Sequence, residues 1–97
     1  FNVLRAFDGV ASLEKVEAFD PDLLIVDIGL PRMNGMLLLH TLRNMSGLGD
    51  IPTIVVTGSQ ESGLEERAQK FGVQRFFQKP ASQKQIVQAV SEILRGA

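Results

Sequence analysis

A chain of 97 residues, 44% hydrophobic and 22% charged, has the length of one domain and the composition of a folded protein, far from that of a disordered one. Its net charge of −1 supplies no basic field, so neither nucleic acid nor a membrane surface is expected as a direct partner. The absence of cysteine excludes disulfides, thiolate catalysis and Cys-zinc sites; the single histidine, His40, excludes a multi-histidine metal centre. No apolar run approaches the length of a membrane span, and a cytoplasmic location is the expectation.

Short β-rich runs alternate with longer amphipathic segments, and the boundaries carry Gly, Pro, Asp or Asn, which is the rhythm of βα units. Asn2 to Phe7 reads as a strand. The Asp8-Gly9 turn leads into a helix with Leu13 and Val16 on one face, ended by Phe19-Asp20-Pro21. Asp22 to Asp27 is an apolar run closed by an acid, as in a parallel strand covered on both faces. Asn34 is the expected N-cap of a helix whose buried stripe is Met36, Leu39 and Leu42. Pro52 introduces a second buried strand, Thr53 to Thr57. Ser62 and Glu65 have capping-box spacing before Leu64, Ala68 and Phe71, and Gly72 stands where a left-handed C-cap belongs. Val73 to Gln78 is the last strand. A second capping box, Ser82 with Gln85, opens a final helix lined by Ile86, Val90, Ile93 and Leu94.

No repeat or linker interrupts this pattern, so the four units are expected to share one core. Right-handed crossovers give an α/β fold, a parallel sheet with helices on both faces, whose chemistry gathers at the carboxyl ends of the strands. Asp27, Thr57 and Lys79 end three of those strands. A carboxylate, a hydroxyl and an ammonium together suit the holding of a phosphoryl group. The carboxylate would attack phosphorus, and the other two would stabilise the phosphoryl oxygens. Gly29 and Gly58 border the same edge and leave room for a donor to approach.

The stretches DPDLLIVDIGLPRMNG, IPTIVVTGS and VQRFFQKP, in this order and spacing, resemble the response-regulator receiver domains of two-component signalling, which have a flavodoxin-like fold. The resemblance implies that Asp27 is the phosphoacceptor, Thr57 the switch hydroxyl, Lys79 the phosphate-contacting lysine and Phe76 the switch aromatic. It also implies a cis peptide at Lys79-Pro80, phosphate binding that includes Gly58, and a Mg²⁺ cofactor held by Asp27 and the backbone carbonyl of Gly29. Gly29 and Ser59 would influence the lifetime of the acyl phosphate. Such a domain is a signalling switch that assists its own phosphoryl transfer, not an enzyme. Its implied partners are a sensor histidine kinase or phosphotransfer protein, and an output partner or fused output domain. The output surface would comprise the helix after Ser62, the strand at Val73 to Gln78 and the helix after Ser82. A homodimer would form through the last helix and strand or by strand exchange.

The departure lies at the front. Family members open with a strand ending in two acids that help hold Mg²⁺, followed by a first helix, and Asn2 aligns with the second strand. The chain therefore reads as a receiver domain over 1–97 that is incomplete at its amino end, with Mg²⁺ binding weakened or lost. In the family's strand order the missing strand lies between the strands at Asn2 and Asp22, leaving two unpaired edges. Alternatively the first strand slides across to pair with Asp22 to Asp27, or another chain fills the gap. A slide would bring Asp8 toward Asp27 as a substitute acid. Two other classes compete: an interaction module that keeps the shape without phosphoryl transfer, and a flavodoxin-like cofactor carrier. VTGSQESG lacks both GxGxxG and a Gly-Lys-Ser/Thr ending, so a nucleotide enzyme is not expected. His40 reads as a surface residue, and Leu37 as a point on a partner surface.

Overall fold

The computed structural model describes residues 2–6, 15–16, 18–28, 34–44, 50–58 and 63–96, with backbone alone at 6, 28 and 34–38. Four strands, β1 (Val3–Ala6), β2 (Leu23–Ile28), β3 (Thr53–Thr57) and β4 (Arg75–Gln78), alternate with the helices α1 (Asn34–Arg43), α2 (Leu64–Lys70) and α3 (Gln83–Arg95). Between β1 and β2, Lys15, Val16, Ala18 and Phe19 are helical. That segment ends as expected at Asp20, which takes a positive φ of 49° and donates its amide to Val16 O at 3.1 Å.

All neighbouring strands are parallel, in the order β1-β2-β3-β4. The expected gap with two unpaired edges is therefore not present. β1 has slid across to lie directly beside β2, with Val3 opposite Leu23 and Ala6 opposite Val26. The driving force is the strand edge: exposed edges carry unsatisfied amides and carbonyls, and direct pairing satisfies them.

This order fixes the layers. Three successive crossovers step in the same direction, so right-handedness places their helical segments on one face of the sheet. There Leu4, Val16, Leu24, Val26, Leu39, Leu42, Val55, Leu64 and Ala68 form one buried cluster. The chain crosses to the other face after β4, and α3 packs Ile86 and Ala89 on Leu23, Ile25, Ile54 and Val56. β2 and β3 are consequently buried on both faces, which explains their continuous apolar runs. β1 is covered on one face only: Leu4 points into the first cluster, whereas Val3 is 42% exposed.

The caps follow the sequence in part. Ser82 accepts from the Gln85 amide at 3.0 Å and Gln85 Oε1 accepts from the Ser82 amide at 3.2 Å, completing the expected box. Gly72 has φ 75° and closes α2 as expected. The start of α2 differs: its N-cap is Gly63 at φ 81°, with no side-chain cap bond, and Ser62 lies outside the described residues. Asn34 is itself the first helical residue of α1. Val73 lies outside β4, which is shorter than expected.

At the amino edge of the sheet Arg43 acts as a clamp. Its guanidinium donates to Phe71 O, to Ile51 O at 3.1 Å and to Thr53 Oγ1 at 3.1 Å, joining α1, the end of α2 and the entry to β3. Burial pushes its pKa below the ordinary arginine value, opposed by the nearby charge of Asp50.

Candidate functional site

Asp27 is the fifth residue of β2 and follows Leu23 and Ile25 on the α3 face, because side chains alternate along a strand. It is 7% exposed, and each carboxylate oxygen has a cation: Lys79 Nζ lies 3.0 Å from Oδ1 and Arg5 Nη2 lies 3.3 Å from Oδ2. Lys79 is positioned by the end of β4. Its amide donates to Thr57 O at 2.7 Å, extending the β3–β4 ladder, and the Lys79–Pro80 peptide is cis. The lysine stem passes Gly58, where a Cβ would lie 3.9 Å from Lys79 Cδ.

Thr57 ends β3 at the same edge, opposite Ile28 and Gln78 in register, and is fully buried. Alternation directs it to the opposite face from Asp27, the face shared by Val55 and its register partner Phe76. Phe76 is half-buried against the first cluster, while Phe77 packs against the second. Asp27, Gly58 and Lys79 are thus brought together, with Thr57 beside them and Phe76 behind Thr57 along the sheet. Gly29, Ser59 and Asp8 lie outside the described residues, as does the Leu37 side chain. His40 is exposed, with its ring edge-on to Phe71 at 6.0 Å.

Arg5 was not among the expected site residues. The signal was present in the alternation of Val3 and Arg5 on one face of β1, but it becomes meaningful only once β1 pairs with β2. Arg5 then pairs in register with Ile25, two residues short of Asp27 on the same face, and its long side chain covers the difference.

Among the described residues the Asp27 carboxylate lies between the Arg5 and Lys79 cations. Both cations are more than a third exposed, so solvent limits each pair to about 0–1 kcal/mol of stability. The Lys79 ammonium and the Arg5 guanidinium both carry donors that suit the oxygens of an anion. A divalent cation is less well served. Mg²⁺ requires oxygen ligands in near-octahedral order, yet both Asp27 oxygens are already paired, and among the described residues no three acid or histidine side chains cluster. A metal on Asp27 would sit beside the positive charges of Arg5 and Lys79. These residues do not fit it.

The model of the response regulator receiver domain matches residues 1–91. The chain is 33% identical to the hybrid signal transduction histidine kinase D of Dictyostelium discoideum over 95% of its own length and 6% of that protein's. It is 41% identical to the Regulator of RpoS of Escherichia coli over 77% of its length and 22% of that protein's. It thus spans a small part of these relatives. The response regulator DivK of Brucella ovis is 29% identical over the whole chain and 79% of DivK. Among solved structures, a LuxR-family DNA-binding response regulator from Staphylococcus aureus superimposes with a TM-score of 0.80 at 21% identity, covering 96% of this chain and 98% of that one. The response regulator Rcp1, solved in a Mn²⁺-bound form, gives 0.73 at 17% identity, covering 97% and 94%. Those two likenesses establish the fold. No helix among the described residues is long and apolar enough to cross a membrane. With its parallel α/β sheet and a family match across nearly all its length, the chain belongs to the response regulator receiver domains, a family of signalling domains.

Proposed function

We propose that the chain is a phosphorylation-controlled switch in which Asp27 accepts a phosphoryl group from a phosphohistidine on a sensor kinase or phosphotransfer protein. The supporting observation is the buried Asp27 carboxylate at the end of β2, with Lys79 Nζ 3.0 Å from Oδ1. An Asp27 oxygen attacks phosphorus as the phosphorus–nitrogen bond breaks. Its electron pair stays on the donor imidazole, whose other nitrogen carries the proton. Lys79 neutralises charge on the phosphoryl oxygens, and the backbone at Gly58 leaves space for them. Thr57 supplies the switch hydroxyl, and Phe76, packed against the first cluster on the same face of the sheet, changes packing when that hydroxyl is drawn toward the phosphoryl group. The output is a shift between two packings of α2, β4 and α3, the surface read by an output partner or fused domain.

By family resemblance Mg²⁺ would sit on Asp27 and the Gly29 carbonyl, where it would neutralise phosphoryl charge. The pairing of Asp27 with two cations argues for weak divalent binding in this chain, and no step above depends on a metal.

Incubation with acetyl phosphate tests the reading. Covalent labelling that survives acid, is lost in alkali and disappears in Asp27→Asn is expected. Equal labelling of Asp27→Asn would refute it, and absence of labelling in the wild type would favour an interaction module that works without phosphorylation.

A further inference from the structure

The two ends of α2 are held by different physics. At the carboxyl end the hold is directional. Phe71 O accepts from Arg43 Nε, and the same guanidinium donates to Ile51 O and to Thr53 Oγ1, each at 3.1 Å, which ties the end of α2 to the entry of β3. A second tie follows directly in the chain: the Gln74 amide donates to Thr53 O at 2.9 Å, and Gln74 Oε1 accepts from the Thr53 amide at 2.7 Å. A planar fork of donors loses its bonds when the acceptors shift relative to one another. At the amino end, Gly63 caps the helix at φ 81° with no side-chain cap bond, and Leu64 is buried in the first apolar cluster. Apolar contact is non-directional, so packed helices can slide by small amounts without losing it. The chain also runs from Thr57 to this amino end of α2 before it reaches the tied one.

We propose that Arg43 is the pivot of the switch: it fixes the carboxyl end of α2 to β3 and confines the movement of α2 on phosphorylation to its amino end. This rests on the reading of Asp27 as phosphoacceptor and of α2 as part of the output surface. Arg43 ends α1 and is a positioning residue, remote from Asp27 and with no part in the transfer itself. Its three bonds join two helices to the strand that carries the switch hydroxyl, so a displacement of Thr57 reaches α2 while the far end of that helix stays in register with β3. The pivot therefore selects which part of the surface a partner sees change. The face around Leu64 and Arg67 moves, and Phe71, Gly72 and Gln74 stay in place.

The test is amide hydrogen exchange followed by NMR on the full chain and on Arg43→Lys, with and without excess acetyl phosphate, with labelling scored by intact mass. In the wild type, exchange at Arg67 and Ala68 should change by more than about threefold on labelling, and at Phe71, Gly72 and Gln74 by less than about threefold. In Arg43→Lys at equal labelling, the change on adding acetyl phosphate should spread to Phe71, Gly72 and Gln74 and exceed about threefold there. An arginine that only stabilises the fold would alter exchange equally with and without acetyl phosphate, and that ratio would not move. The wild-type comparison of the two ends needs no variant, so it tests the pivot even where the variant does not fold. Changes at the carboxyl end of wild-type α2 that match or exceed those at its amino end would overturn the inference while leaving Asp27 as phosphoacceptor. So would a ratio at Phe71, Gly72 and Gln74 that stays under about threefold in Arg43→Lys. Labelling with no change anywhere in α2 would overturn its place in the output surface too, and absence of wild-type labelling would overturn the phosphoacceptor reading as well.

Discussion

Arg5 and Asp27 are 22 residues apart in the chain, and Arg5 Nη2 lies 3.3 Å from Asp27 Oδ2. Their strands are parallel neighbours, but the two residues are not register partners, since Arg5 faces Ile25. The offset of two residues is about 7 Å along a strand, a distance that a long arginine can span while it stays on the same face of the sheet. The contact makes Asp27 a carboxylate bracketed by cations.

Removal of the second cation separates its chemical role from any structural one. Lys79→Met keeps the aliphatic stem beside Gly58 and deletes the ammonium. Labelling by acetyl phosphate should fall by about tenfold or more. Stability in urea should change by less than about 1 kcal/mol, because the ion pair is screened by solvent. A large stability loss with unchanged labelling would make Lys79 a structural residue instead.

Arg43 should matter through its geometry more than its charge. Arg43→Lys keeps one positive charge but cannot serve Phe71 O, Ile51 O and Thr53 Oγ1 together. The half-buried fork should cost roughly 2 kcal/mol when lost, read from urea unfolding. Acetyl phosphate labelling at the opposite edge of the sheet should remain near wild type in folded protein. A lysine variant as stable as wild type would show that charge alone suffices.

The capping box at Ser82 is isolated enough to be measured on its own. Ser82→Ala removes the acceptor for the Gln85 amide and should cost about 1 kcal/mol. The loss should be smaller in Ser82→Asp, which can accept the same bond. Equal losses in the two variants would mean that the cap bond is not the cause.

Two glycines should respond oppositely to the same change. Gly72 has φ 75° with no atom near its virtual Cβ, so Gly72→Ala carries a backbone penalty of about 1 kcal/mol. Gly58 is outside the left-handed region, and its added Cβ would rest at 3.9 Å, an ordinary contact, from Lys79 Cδ. Gly58→Ala should therefore be neutral or stabilising by up to about 1 kcal/mol, through reduced freedom of the unfolded chain. Thermal unfolding of both variants would reveal a reversal.

The sequence by itself determined the element order and the sheet edge at which Asp27 and Lys79 meet. A run such as Leu23 to Val26 is apolar at every position and must be covered on both faces, while the spacings around Ser82 and Gly72 encode caps through local hydrogen bonds. Asp27 and Lys79 were legible for the same reason: each follows directly on a strand signal, and parallel strands carry their ends to a common edge. Only the tertiary structure decided which strand lies beside β2, because strand pairing is a non-local choice governed by satisfaction of edge hydrogen bonds and burial of Leu4 with Val16 and Leu24. From the sequence, a slide of β1 pointed to Asp8 as the new neighbour of Asp27. Asp8 lies outside the described residues; the register brings Arg5, and with it a positive charge, because a parallel pairing that sets Val3 opposite Leu23 aligns Arg5 on the Asp27 face within reach of its carboxylate.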